Sequence, residues 1–288
     1  MKKVVPSLWF EHNVKDVFEY YTHVFEDIKL IDTIKLHQGS EYETNVLYFT
    51  LRDTYFMAMG NGPFKMHPSI SFMYEFNPDV DQTALEKIKK TYNLLKEGGK
   101  VIDELQETEF AKLYAFVTDK FGLSWHLALR SSDTYKEVTP VMSFAGSSYG
   151  KANEGINLYK KVFKDVTVLN SDFADNHKLR FSDFNLFNHR FVAMDVNADY
   201  KTSEALSFQI TCKDQAEMDA YFDPLSYDKN AEACGWIKDR YGFSWQIVPE
   251  FLNHLTFNGS KDEQDKVFKV VFTMKKLILD EMMNALKK

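Results

Sequence analysis

The 288-residue sequence lacks several features that would point directly to a function. It has only two cysteines, Cys212 and Cys234, which excludes a disulfide framework and a four-thiolate metal site. Two cysteines beside 11 methionines and 25 phenylalanines favour a reducing compartment, and we expect the cytoplasm. No apolar run approaches the length of a membrane span, so no membrane partner is expected.

Positive charge is also scarce. The chain has 35 Lys and Arg against 42 Asp and Glu, a net charge of -7. Nucleic-acid binding needs clustered basic side chains that neutralise phosphates, so we do not expect a nucleic-acid partner. With 44% hydrophobic residues the chain can form one large or two ordinary cores, and its length favours two domains.

What the sequence does contain is an internal repeat, a feature that decides the fold class when it is found. Each copy opens with a short apolar segment that leads into a helical spacing of apolar residues. Further matches follow in the same order in both halves. The matching segments are 6–10 with 140–144, 56–59 with 191–194, 69–72 with 205–208, and 119–126 with 239–246.

The repeat predicts two domains, residues 1–131 and 138–288. The intervening segment 130–137 is polar and without periodicity, as is typical of a linker. In the second domain we predict a loop after Pro249 and then a C-terminal helix over 261–288, with Ser260 as its N-cap. This helix would dock on the second domain or on a dimer partner.

The segment 234–249, Cys-Gly-Trp-Ile-Lys-Asp-Arg-Tyr-Gly-Phe-Ser-Trp-Gln-Ile-Val-Pro, resembles the signature of PhnB-like proteins. These form a branch, often named for 3-demethylubiquinone-9 3-methyltransferase, of the vicinal-oxygen-chelate (glyoxalase and bleomycin resistance) superfamily. The resemblance implies an α+β fold of two tandem domains, each of paired βαβββ modules whose curved, mostly antiparallel sheets enclose a cavity. It also implies an internal pseudo-dimer, with a homodimer as an alternative.

The methyltransferase name itself carries little weight. A methyltransferase of the usual kind needs a glycine-rich turn after the first strand of a parallel sheet to hold its cofactor. The segment 60–63, Gly-Asn-Gly-Pro, is typical instead of a turn between two strands.

The resemblance also implies where a divalent metal would bind. Members of the superfamily draw one ligand from each of four strands, and such ligands are His, Glu, Asp or Gln. In this sequence the matching positions offer His126 in the first repeat, and Gln246 with Asp195 in the second; His67 with His126 would make a partial site. We therefore predict no metal site and no cofactor, and keep a divalent metal as an alternative.

Alternation along the last strand of each repeat predicts which side chains face the cavity, because residues two apart share a face. Ser124 and His126, like Ser244 and Gln246, point one way, and the intervening tryptophans point into the core. We expect these four to line a ligand cavity together with Trp9, Phe49, Met59, Phe72, Phe144, Phe208 and Trp236. The alternative for the aromatic rings is ordinary core packing.

Asp119 and Asp239 open the same Asp-(Lys/Arg)-(Phe/Tyr)-Gly motif in the two repeats. An aspartate there can accept hydrogen bonds from turn amides, and a glycine can adopt a positive φ. We interpret both aspartates as structural, and Cys234 as an ordinary thiol because no base neighbours it in sequence.

Two functions follow as hypotheses. The first is a protein that binds a small, partly apolar or aromatic molecule without a catalytic metal. The alternative is an enzyme of lyase, isomerase or dioxygenase type that acts on a small oxygenated substrate, with or without a metal. His126 would then be the general base or sole ligand, and Gln246 would orient the substrate. The structural interpretation of His126 is a buried, hydrogen-bonded side chain.

Overall fold

The structure, a computed structural model, describes residues 3–36 and 44–287. The first repeat contains β1 (Val4–Trp9), α1 (Val14–Val24), β2 (Ile28–Leu36), β3 (Thr44–Leu51), β4 (Thr54–Met59), β5 (Ile70–Phe76), α2 (Ala84–Lys96), β6 (Lys100–Gln106), β7 (Leu113–Thr118) and β8 (Ser124–Leu129). The second contains β9 (Thr139–Phe144), α3 (Ala152–Phe163), β10 (Val166–Phe173), β11 (Leu179–Leu186), β12 (His189–Asp195), β13 (Leu206–Cys212), α4 (Gln215–Leu225), β14 (Trp236–Lys238) and β15 (Ser244–Pro249). Three helices follow, α5 (Glu250–Asn258), α6 (Lys261–Val271) and α7 (Leu279–Ala285).

The strands form two sheets, and each sheet combines one module from each repeat. Sheet A has the order β14-β15-β13-β1-β4-β3-β2, and sheet B has the order β10-β11-β12-β9-β5-β8-β7-β6. The modules are joined by antiparallel pairing of β1 with β13 and of β5 with β9. The predicted α+β fold of paired βαβββ modules is confirmed. In both sheets a module of one repeat is hydrogen-bonded to a module of the other repeat. The two modules of one repeat therefore lie in different sheets.

The first helix of each repeat forms where the apolar spacing predicts it. Asn13 precedes α1 and its side chain accepts a hydrogen bond from the Lys15 amide, which satisfies one of the free donors of the first turn. The buried residues of α1 and α3 recur three and four positions apart, so each helix presents one apolar stripe to the core.

A buried aspartate fastens the same turn in both repeats. Asp119 accepts hydrogen bonds from the amides of Phe121 and Leu123, from the Tyr21 hydroxyl at 2.8 Å and from the Trp125 indole at 3.0 Å. Asp239 accepts the corresponding bonds from Tyr159, Tyr241, Phe243 and Trp245. The predicted structural role of both aspartates is confirmed, as is the core position of the two tryptophans.

The C-terminal region differs from its prediction. Residues 250–258, predicted as a loop, form α5, and the helix predicted over 261–288 is interrupted between α6 and α7. The physical reason is that the carbonyls of Met274 and Lys275 accept hydrogen bonds from the amides of Cys234 and Gly235 instead of from the next helical turn. Ser260 caps α6 as predicted, through a reciprocal capping box with Glu263.

Length and apolarity together set whether a helix can cross a membrane. Within the described ranges, no helix meets both requirements.

Candidate functional site

One face of sheet A, together with α5 and α6, borders a cavity of about 880 Å³. Strand alternation places Trp9 of β1, Met57 and Met59 of β4, Gln209 of β13 and Gln246 of β15 on this face. These strands come from both repeats. The cavity therefore depends on the pairing of β1–β4 of the first repeat with β13–β15 of the second in one sheet.

The wall opposite the sheet is supplied by the C-terminal helices. Leu252 and Asn253 of α5 and Phe268 of α6 line it. Asn253 fixes α5 to the sheet, because its Oδ1 accepts from Gln209 Nε2 at 3.2 Å and its Nδ2 donates to Thr211 Oγ1 at 3.0 Å. Residues 250–258, which were predicted as a loop, thus form a wall of the site.

The lining is aromatic, sulfur-rich and nearly free of charge. The rings of Trp9 and Trp236 lie 6.0 Å apart at a tilt of 44°. Among the lining residues that the structure describes, Glu204 is the only carboxylate, and it forms an ion pair with Lys238 at 2.6 Å. Burial raises the pKa of the Cys234 thiol, which keeps it protonated and neutral.

Three serines on the neighbouring strands β1, β13 and β15 form a row across this face of sheet A. The strand registers pair Ser7 with Ser207, and Ser207 with Ser244. Gln246 Nε2 donates to Ser207 Oγ at 2.9 Å. The hydroxyls of Ser7 and Ser244 are buried without a hydrogen-bond partner, which costs on the order of 1–3 kcal/mol for each unsatisfied group.

Gln246, which the resemblance offers as a metal ligand, has neighbours that do not fit a divalent metal. On this face of sheet A it lies near Ser7, Met57 and Ser207, and hydroxyl and thioether groups are poor ligands for such ions. Across residues 3–36 and 44–287, no group of three or more His, Cys, Asp or Glu could hold a metal ion.

Asp195, another predicted ligand candidate, has a structural role instead. Its carboxylate accepts hydrogen bonds from the amides of Gly150 and Ala152 at the start of α3, and from the amide of Leu179. A carboxylate at this position stabilises the free amides of a helix N-terminus.

His126 lies on the corresponding face of sheet B. Its Nε2 is 2.8 Å from Ser71 Oγ, its Nδ1 is 2.7 Å from the Tyr114 hydroxyl, and its ring stacks on Phe116 at 4.0 Å. Burial lowers the pKa of His126 to about 3, so the ring is neutral near pH 7. These contacts are those of a structural histidine, and its catalytic role stays a hypothesis.

Ser124, predicted beside His126, shares that face, and its hydroxyl lies 2.8 Å from Thr118 Oγ1. His67 has different neighbours from His126. Its Nε2 lies 3.4 Å from the Ser203 carbonyl, and the charges of Glu204 and Lys238 act on it. Within the described residues the two histidines have different hydrogen-bond partners, and the partial metal site suggested by their types stays a hypothesis.

The structure divides the predicted cavity residues into two groups. Trp9, Met59, Trp236 and Gln246 line the cavity of sheet A, whereas Ser244 shares the sheet face of Gln246 but is not among the lining residues.

Four predicted cavity residues belong to the hydrophobic core instead: Phe49, Phe72, Phe144 and Phe208. Phe72 and Phe208 contact the core tryptophans Trp125 and Trp245 at 5.8 and 5.4 Å between ring centroids. Both faces of these strands are buried, so apolar character does not reveal which face a ring occupies. None of the four is among the lining residues of the sheet A cavity.

Sequence reasoning missed Met57, Gln209 and Asn253. A signal existed for Met57, because it is two residues from the predicted cavity residue Met59 and so shares its face. Gln209 gave none, because its neighbour Phe208 was predicted to face the cavity. Asn253 gave no signal, because the segment that contains it was predicted as a loop.

A larger cleft of about 1020 Å³ lies outside the sheets, beside α1, α2 and the linker. Its charged side chains are engaged with one another. Arg52 stacks on Tyr74 at 3.6 Å and donates to Asp27, and Lys87 contacts Glu26 and Asp81. The cleft lacks the apolar lining of a ligand pocket, so we place the candidate site on sheet A.

The two sheets of paired βαβββ modules give this chain the fold of glyoxalase I. Glyoxalase I from Zea mays has this fold, with a TM-score of 0.58 and 14% sequence identity over 88% of this chain and 98% of its own. The PhnB protein from Bacillus cereus is 22% identical over 44% of this chain and 99% of its own, with a TM-score of 0.39.

A sequence profile described as 3-demethylubiquinone-9 3-methyltransferase matches residues 2–128 and again 136–248. The chain therefore belongs to this family, and both repeats match it. No curated protein matches the sequence.

Proposed function

We propose that the protein binds a small, uncharged, aromatic molecule in the cavity of sheet A without a catalytic metal. The observation that carries this proposal is the lining: tryptophans and methionines with carboxamides between them, around a volume of about 880 Å³. Ligand pockets typically span about 300–1,000 Å³ and combine apolar walls with a few placed polar groups.

The polarity of the ligand follows from the charges. Moving an ion into a site without a counter-charge costs several kcal/mol, a cost that a neutral molecule avoids. Glu204 is already paired with Lys238, and the pKa of Cys234 is raised, so neither offers a free charge to a ligand. Gln209 and Gln246 instead offer amide donors and acceptors.

The experiment is titration calorimetry with three naphthalene derivatives of similar size. At pH 7, 2-naphthol is neutral, 2-naphthoate is an anion and 2-naphthylmethylamine is a cation. We expect 2-naphthol to bind at least about tenfold more tightly than either ion, a difference that corresponds to roughly 1.4 kcal/mol. Equal affinities, or no binding, would contradict the proposal.

A matched pair of variants locates the binding. Met59 and Met194 hold equivalent positions in the two repeats and are both half-buried, but only Met59 lines the cavity. Met59→Arg is expected to abolish binding of 2-naphthol, and Met194→Arg is expected to leave it unchanged. The opposite result would move the site to sheet B.

The enzyme alternative has less support. A general base needs a nitrogen that a substrate proton can reach, whereas His126 is buried and both its ring nitrogens have hydroxyl partners. Binding by the sheet A cavity does not require His126, so a His126→Gln variant is expected to keep its affinity for 2-naphthol.

A further inference from the structure

We infer that the polar residues around Gln246 on sheet A serve as a metal-free hydrogen-bonding cradle for a hydroxyl or carbonyl group of the ligand. The cradle consists of Ser7, Ser244 and Gln246 on the same face of sheet A. This inference rests on the proposed function, because it names the ligand group that the same cavity recognises and the residues that recognise it.

The first support is the pair of unsatisfied hydroxyls. Ser7 and Ser244 are each 1% exposed, and neither hydroxyl has a hydrogen-bond partner. Buried polar groups in native proteins are almost always paired, so such exceptions call for a partner that binds from outside the chain. Both serines lie on the face that borders the cavity.

The second support is the contrast with sheet B. Val141 occupies the position equivalent to Ser7, and Ser124, the equivalent of Ser244, lies 2.8 Å from its partner Thr118. The two unpartnered hydroxyls of this row therefore occur on sheet A. Ser69 of sheet B is also buried without a hydrogen-bond partner, but it stands where sheet A has Ala205 and so lies outside this row.

The third support is the arrangement of the donors and acceptors. Ser207 holds Gln246 through its Nε2 group, which leaves the Gln246 Oε1 as an acceptor. The two serine hydroxyls can each donate or accept. A ligand hydroxyl or carbonyl can bond to Gln246 and to one of the two serines without a charge on either side, and a second polar group of the ligand can reach the other serine.

A flexible side chain, that of Met57, lies between the cavity and the serine row that a ligand has to reach. Met57 is paired with Ser7 across β1 and β4 and lines the cavity. Methionine has three rotatable bonds and adapts to the shape of its neighbours, so it can move aside for a ligand group.

The first arm of the test measures thermal unfolding of the unliganded protein. Ser7→Ala and Ser244→Ala remove hydroxyls that have no partner, so neither is expected to lower Tm. Ser124→Ala is the matched control, because it leaves Thr118 without its partner, and Tm is expected to fall by about 2–4 °C. If S7A and S244A lower Tm as much as S124A does, their hydroxyls are bonded in the free protein and the inference fails.

The second arm compares 2-naphthol with naphthalene, which lacks the hydroxyl, by titration calorimetry. The wild type is expected to prefer 2-naphthol about tenfold, and the S7A/S244A double variant less than about threefold, with the naphthalene affinity unchanged. A preference that survives in the double variant overturns the cradle alone. Failure of the wild type to bind either probe overturns the proposed function, and the cradle with it.

Discussion

Sheets A and B are built from the same modules, yet their corresponding faces present different side chains around Gln246 and His126. In sheet A, Gln246 bonds to Ser207; in sheet B, His126 bonds to Ser71 at the equivalent register. The difference arises one strand further out. There, β7 places Tyr114 and Phe116 against His126, and their rings occupy the space above it.

The equivalent strand of sheet A is short and lacks that tyrosine. Phe116 pairs with His126 as Trp236 pairs with Gln246, so Cys234 stands where sheet B has Tyr114. Cys234 and Gly235 adopt positive φ values of 52° and 88°, and β14 begins only at Trp236. A small thiol on a turn takes up less volume near Gln246 than a tyrosine on a strand takes up beside His126. The comparison teaches that the edge strand sets how much room a module pair leaves beside the polar residue of its last strand.

The turn aspartates Asp119 and Asp239 should contribute equally to the stability of the two repeats. Asp119→Ala and Asp239→Ala each remove a buried carboxylate with four hydrogen-bond donors, and each is expected to cost at least about 3 kcal/mol of unfolding free energy. Urea unfolding measures it. The Asp→Asn variants are milder controls, since an amide oxygen still accepts. A large loss in one repeat alone would break the equivalence on which the comparison rests.

The burial of His126 in sheet B predicts a pH dependence of stability that Gln246, its counterpart in sheet A, cannot produce. His126 has its pKa lowered to about 3 by burial, below the unfolded value near 6.5, so its contribution to stability is present above pH 6.5 and is lost as pH falls towards 3. His126→Gln places the sheet A residue in sheet B. Between pH 7 and pH 5 the wild type should lose about 2 kcal/mol more stability than this variant.

Burial also lowers the pKa of His67, to about 4. His67 is present in the wild type and in the His126→Gln variant, so its contribution cancels in the difference between their stabilities. Urea unfolding at a series of pH values gives the two curves. Parallel curves would show that His126 titrates in the folded protein much as it does in the unfolded chain, and would contradict its assignment as a buried neutral ring.

Much of this comparison could be predicted from the sequence, because it depends on local patterns. Helical spacing located α1 and α3. Alternation along β15 correctly placed Ser244 and Gln246 on one face of the strand and Trp245 on the other, in the core. The turn aspartates were also predicted. Each of these follows from residues close together in the chain, where backbone geometry fixes the relation between side chains.

The partner strands could not be predicted in the same way. Alternation tells which residues share a face but not which strand lies beside them, and β1 pairs with β13, about two hundred residues away. The phenylalanines of strands buried on both faces were misassigned for the related reason that their apolar character is the same towards the core and towards a cavity.

The smallest expected effect concerns the wall that only sheet A has. Asn253→Ala removes the two hydrogen bonds that hold α5 to Gln209 and Thr211, and is expected to cost about 1 kcal/mol, since the partners of the lost amide are left in a cavity that water can reach. Because α5 forms part of the cavity wall, 2-naphthol should also enter and leave faster, which stopped-flow fluorescence measures.

Asn258→Ala is the matched control, because Asn258 ends the same helix, is exposed and donates only to the carbonyl of His254 one turn earlier. Its binding rates should equal those of the wild type. If both variants change the rates alike, the ends of α5 move as one unit and the Asn253 contacts do not control access. If only Asn253→Ala accelerates exchange, these two hydrogen bonds set how long sheet A keeps its cavity closed.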